Sequence, residues 1–170
     1  MDKKKIMFVS ITLVMFAYSC GSTKQATERM MSKITTNEQM FWNHFQKVTC
    51  DSLGWVNPSE FSTYKFSNID SILSWGENLW IGFVEKKDYR VGNVDIIVMQ
   101  WSLGSGEWSP FFTVYIRNET KWQLCTAKTF SHDCWNKIKI EQNDEKEVFK
   151  FVVDDKPISE LHYSKIVSMK

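Results

Sequence analysis

The sequence predicts an α+β fold, an N-terminal helix followed by an antiparallel β-meander of six or seven strands. The meander is either an open curved sheet or a partly closed barrel. Three observations carry this reading. The apolar period is helical only near residues 36–48 and changes to two after Leu79. The strand-like runs that follow are joined by short polar turns. Such connections make neighbours antiparallel, because parallel pairs need long crossovers. Aromatic residues make up 15% of the chain against only 7 Gly and 3 Pro, a composition for a packed core rather than a disordered chain.

The first segment reads as a leader rather than as part of that domain. Lys3, Lys4 and Lys5 form a basic region, and Ile6 to Phe16 form an apolar run broken only by Ser10 and Thr12. The run is too short for a bilayer core, which needs about 20 apolar residues. Its length and flanks are those of a secretory signal. Ala17-Tyr18-Ser19 places small residues three and one before a cut, and Cys20 follows directly.

Ala17-Tyr18-Ser19-Cys20 resembles the lipobox of bacterial lipoproteins, although that family mostly has Leu where Ala17 stands and a smaller residue than Tyr18. The resemblance covers the leader alone. It implies a thiol acylated before cleavage, so that Cys20 becomes a lipid-bearing N-terminus. One acyl chain holds marginally, and two or three hold stably, at about 0.8 kcal/mol per buried methylene. Gly21 in place of Asp after the Cys implies an outer-membrane location, facing the periplasm or the cell surface. The expected organisation is a signal peptide over 1–19, a lipid-anchored tether over 20–35 and a single β-rich domain over 36–170.

Thr36-Asn37-Glu38-Gln39 matches a capping box, and Phe41, Phe45 and Val48 follow on one helical face. Gly54 and Pro58 end this region. A second short helix is expected over Asn68 to Trp75, closed by Gly76. "LWIGFVE" from Leu79 reads as the first strand, and "VDIIVMQW" as the second. The second is apolar on both faces and therefore central. "LGSGEWSP" is a turn. "FFTVYIR" alternates Phe112, Val114 and Ile116 against Phe111, Thr113 and Tyr115. "KWQLCTAKTF", "WNKIKIE" and "EVFKFVV" are further strands, divided by Ser131-His132-Asp133-Cys134 and by "QNDEK". Asp154 to Pro157 is a turn, and "ISELHYSKIV" closes the chain as a strand or short helix.

With 21 basic and 20 acidic residues, of which the leader takes three Lys and one Asp, the mature chain carries a formal charge of −1. The charges are interspersed, so nothing supports a nucleic-acid partner. An exported chain meets an oxidising compartment, where cysteines pair. Cys125 and Cys134 flank the expected hairpin tip and are the expected disulfide, which leaves Cys50 free.

Few residues invite chemistry. His44, His132 and His162 are isolated from one another, and no zinc-ligand spacing occurs, so neither metal nor cofactor is expected. "LGSGE" lacks the spacing of a nucleophile elbow. Ser131-His132-Asp133-Cys134 is the sharpest catalytic candidate, but a bridged Cys134 has no thiolate to offer. The carboxylates Glu77, Asp95, Glu107 and Asp133 are scattered along the chain, and only convergence in the fold would make a hydrolase of them.

The expectation is a non-enzyme, a binding or interaction module held at the envelope, with a protein or glycan partner. Its alternatives are an inhibitor or immunity-type protein, or a carrier of a small apolar ligand. Trp108, in a polar Gly-rich turn, and Trp122 and Trp135, flanking the hairpin, mark the candidate binding surface. The remaining Trp residues are assigned to the core.

Overall fold

A computed structural model describes residues 36–79, 81–103, 109–134 and 137–168, with side chains from Gln39 onward. The leader, the tether, Cys20, Trp108 and Trp135 lie outside the described residues, as do the capping-box side chains of Thr36 and Glu38.

Helix α1 (Thr36–Phe45) is followed by a 3-10 turn over Pro58–Phe61, strand β1 (Lys65–Phe66) and helix α2 (Ile69–Asn78). Then come β2 (Gly82–Val91), β3 (Val94–Leu103), β4 (Ser109–Asn118) and β5 (Lys121–Thr129). A 3-10 turn over His132–Cys134 leads to β6 (Lys139–Asn143), β7 (Val148–Val153), β8 (Lys156–His162) and a last helix α3 (Tyr163–Val167). Every strand pairing is antiparallel.

The strands do not form one meander, and the sheet is not a closed barrel. They divide into a five-stranded sheet, ordered β1-β5-β4-β3-β2, and a three-stranded sheet, ordered β6-β7-β8. The cause lies in β3 and β4. Their apolar residues alternate onto both faces, so one sheet has two surfaces to cover. Phe111 and Tyr115 face one cluster with Ile97, Met99, Trp101, Phe41, Trp42 and Ile72. Phe112, Val114 and Ile116 face the other, with Phe149, Phe151 and Trp55. Helices α1 and α2 cover the first face, and the small sheet covers the second.

The helix layer is locked by close aromatic contact. Phe41 meets Trp42 at 5.1 Å and Trp75 at 5.0 Å, both edge to face. The indole of Trp42 donates to the Leu79 carbonyl (3.3 Å), tying α1 to the end of α2. Helix α2 begins at Asn68, whose side chain accepts from Ser71 N while Ser71 reaches back to Asn68 N. It does not close at Gly76 but runs through it. The reason is packing: a Cβ at Gly76 would lie 2.2 Å from Trp101 Cζ3. The glycine is a seat for the Trp101 ring, which itself donates to Thr113 Oγ1 (2.7 Å).

Between the sheets, Phe151 packs against Trp55 at 4.9 Å and Phe112 at 5.2 Å. Trp55 comes from the 46–57 segment, which wraps the edge of β5 left open beyond two-residue β1. There Val56 N donates to the Ala127 carbonyl (3.0 Å) and Thr126 Oγ1 donates to the Val56 carbonyl (2.6 Å). The opposite edge, β2, has no further strand paired to it among the described residues. It carries a bulge between Phe83 and Glu85 and the ion pairs Lys86–Asp88 and Lys87–Glu85, features that discourage edge-to-edge pairing.

The expected Cys125–Cys134 disulfide is absent, since both are free thiols. Cys125 is the bulged residue of β5 and packs inside the inter-sheet cluster, its thiol donating to the Gln123 carbonyl (3.5 Å). Cys134 sits half-buried on the 3-10 turn that carries the chain to the second sheet, so these residues do not close one hairpin. Cys50 forms an isolated antiparallel bridge with Val56 through its backbone.

Two outcomes follow from this packing. Gly76→Ala should overpack the Trp101 seat and cost about 1–3 kcal/mol in urea unfolding, whereas exposed Ser74→Ala should cost almost nothing. For the thiols, iodoacetamide should label Cys134 in the native protein and reach Cys125 only after denaturation. Burial pushes the Cys125 thiol up from 9.0 to about 12. It raises Tyr89 from 10.0 to about 12, with help from the Glu85 charge. Both groups hold their protons more tightly when folded, so their stabilising contribution is complete below about pH 9 and is lost as pH climbs toward 12. The urea midpoint should fall across that window.

Candidate functional site

Of the three Trp residues expected to form a binding surface, only Trp122 is described. It is half-buried, lies on the helix-covered face and packs against that cluster. The Arg117 guanidinium carbon stands 5.8 Å from its ring centroid, and Phe66 is its cross-strand partner on β1. Its ring therefore serves cross-strand packing.

The opposite face of the same strands holds a different feature. A pocket of about 360 Å³ is lined by Lys65, Asn118, Glu119, Thr120, Lys121 and Gln123. Register explains the grouping. Lys65 pairs with Gln123 across β1–β5, and Asn118 pairs with Lys121 at the end of the β4–β5 hairpin. Directly paired residues project to one face, and so do residues two apart along a strand. Lys65, Asn118, Lys121 and Gln123 thus share the face of Ile116, with Glu119 and Thr120 closing the turn above them. None of the lining residues comes from the second sheet.

Two physical oddities coincide here. The first is Gln123, which is only 7% exposed. Its carboxamide makes no hydrogen bond among the described residues, although its nitrogen and oxygen are not enclosed, and the five other described lining side chains form no hydrogen bonds or ion pairs there either. A buried carboxamide ordinarily finds partners within the fold. The second is Glu119, held at φ +54° in a two-residue turn, a left-handed conformation that Glu147, Asp154 and Asp155 also adopt in turns of the second sheet. The β2–β3 turn, also of two residues, meets a positive φ of +57° with Gly92. A non-glycine residue in the left-handed region is strained, and such strain collects at functional sites.

The catalytic candidates do not assemble. Ser131 Oγ (3.5 Å) and His132 Nδ1 (3.1 Å) both approach Asp133, which leaves Ser131 without the histidine contact that activation requires. Desolvation and the Asp133 charge push the Cys134 thiol up, the reverse of an activated thiolate. Asp95 pairs with Arg90 at 3.6 Å, and Glu107 lies outside the described residues. Among the described residues no group of three His, Cys, Asp or Glu could hold a metal.

Two polar clusters escape a reading by residue spacing, because their members are distant in sequence. Thr49 donates its hydroxyl (2.8 Å) to Glu60, holding that carboxyl below its ordinary range, and His44 Nε2 donates to the Glu60 carbonyl (2.9 Å). These bonds fasten α1 to the Pro58–Phe61 turn. Lys128 Nζ donates to Ser159 Oγ (2.9 Å) and to the Leu53 carbonyl, and lies 5.0 Å from the Phe130 ring centroid. Its contact with Ser159 has the look of a serine–lysine pair, but Ser159 is 7% exposed and Lys128 is shared with a backbone carbonyl. The arrangement clasps the 50s loop and β8 to β5.

The strain at the pocket is measurable. Glu119→Gly should relieve the left-handed φ and raise stability by about 1 kcal/mol, read as a higher urea midpoint. An unchanged or lower midpoint would mean that the turn is not strained. Comparison of the chain with known protein families, curated proteins and solved structures finds no match.

Proposed function

We propose that the chain is a cell-envelope binding module, held to a membrane by lipid on Cys20, that presents the pocket at the β4–β5 turn to its ligand. One observation carries the binding half of this reading. Gln123, only 7% exposed as a residue, turns toward a pocket a carboxamide with no hydrogen-bond partner among the described residues, and the five other described lining side chains are likewise without one there. A ligand that meets such open donors and acceptors gains about 0.5–1.5 kcal/mol for each hydrogen bond it forms. The anchoring half rests on Lys3 to Cys20.

Carriage of an apolar ligand has less support. The space between the sheets is filled by Phe112, Phe149, Phe151 and Trp55. A second pocket, beside Trp55 and Ile166, has room for about 30 Å³.

Binding to an envelope fraction should fall about tenfold or more in Gln123→Leu, which keeps the side chain's bulk and removes its amide. Equal retention of the same component by both proteins would take the pocket out of the reading. The intact mass of membrane-extracted protein should show an acylated N-terminal Cys20. A Cys20–Cys50 linked peptide would remove the anchor.

A further inference from the structure

The chemistry of the pocket specifies its ligand further, and this step rests on the reading of the pocket as the binding site. We infer that it takes an acidic sugar, a single carboxylate carried on a ring of hydroxyls, as in a uronic acid. The charge balance comes first. Among the described residues, Lys65 and Lys121 have no carboxylate within ion-pair distance, and Glu119 has no cation. Two ammonium groups and one carboxylate leave one positive charge to be met. A monoanion meets it, whereas a dianion such as a phosphate monoester would bring its second charge against Glu119.

The neutral groups specify the rest. Each carboxamide of Asn118 and Gln123 offers two N–H donors and an acceptor oxygen, and the Thr120 hydroxyl both donates and accepts. Adjacent sugar hydroxyls likewise both donate and accept, and Glu119 supplies one more acceptor. None of the described lining residues is aromatic, and Trp122 stands on the other face. A flat or apolar ligand such as a nucleobase therefore finds no platform. The volume of about 360 Å³ falls at the lower end of the range for small-molecule sites, about 300–1,000 Å³. Gln123, fixed on a central strand pairing, forms the rigid floor, while the turn residues form the rim.

The test follows the side-chain amide signals of Asn118 and Gln123 in ¹⁵N-labelled protein during titration with sodium glucuronate, glucose and glucosamine. Glucuronate should shift both signals saturably, glucose should bind about tenfold more weakly or worse, and glucosamine should leave them in place. Lys65→Met with Lys121→Met should erase the preference for glucuronate over glucose, with the rest of the spectrum unchanged to show that the fold is intact. A uronic-acid oligosaccharide that binds more tightly than the monomer would identify a polymer chain as the source, and equal binding would identify the free sugar. Glucose or glucosamine matching glucuronate overturns the acidic class. If no sugar moves the two signals but envelope extract does, the ligand class is wrong and the pocket stands. If the extract is silent too, both readings fall together.

Discussion

Strands β3 and β4 bury side chains on both faces, and that demand organises the rest of the molecule. An antiparallel sheet can leave one face in water, but not one with Ile97, Met99, Trp101, Phe111 and Tyr115 on one side and Ile96, Val98, Phe112, Val114 and Ile116 on the other. Two covering layers are needed, and the chain draws them from its two ends. The N-terminal part supplies α1 and α2, and the C-terminal part supplies the β6-β7-β8 sheet. Trp101 shows how tight the fit is. Its ring reaches so close to α2 that the helix must carry glycine at position 76, and its indole nitrogen is satisfied by a neighbouring strand.

Covering two faces leaves the edges to be managed separately. Two-residue β1 protects only one end of β5, and the 46–57 segment covers part of the remainder. At the β4–β5 hairpin end β1 lies beside β5, and no described residue of the second sheet lines the pocket. A pocket forms where the cover runs out. It is polar because its face there is no longer apolar: Ile116 is the last buried apolar residue of β4 before Arg117 and Asn118.

How much of this could be read from residues alone varies with the kind of signal. The two-faced strands were legible, since alternation along "FFTVYIR" separates Phe112, Val114 and Ile116 from Phe111 and Tyr115, as the two clusters do. The split into two sheets was not, because a short polar connection such as 131–138 has the same look whether it turns a hairpin or crosses to another layer. Lys65–Phe66 is too short to carry a period, so β1 was invisible. Gly76 and the two thiols share another difficulty. A helix terminator and a helix seat are the same residue, and cysteines nine apart are bridgeable only if their segment folds back on itself. The Lys65–Gln123 pairing, which builds the pocket, joins residues with no local relation at all.

The pocket also explains a local conflict that stability alone would remove. Gly92 and Glu119 occupy positive-φ positions of two hairpin turns, and only the first is the residue the backbone prefers, although Glu147, Asp154 and Asp155 adopt the same region in the turns of the second sheet. Gln123 presents a second conflict, since an apolar residue in that strand position would avoid an unpaired amide. Lys65 and Lys121 present a third, two cations lining one pocket without a carboxylate partner among the described residues. Each is mildly unfavourable in the unliganded molecule. All three fall on one pocket, whereas Lys128 and Glu60 elsewhere spend hydrogen bonds on the neutral partners Ser159 and Thr49. A ligand with one negative charge and several hydroxyls resolves the three conflicts together, by neutralising the lysines, pairing the amides and using the acceptor that Glu119 presents.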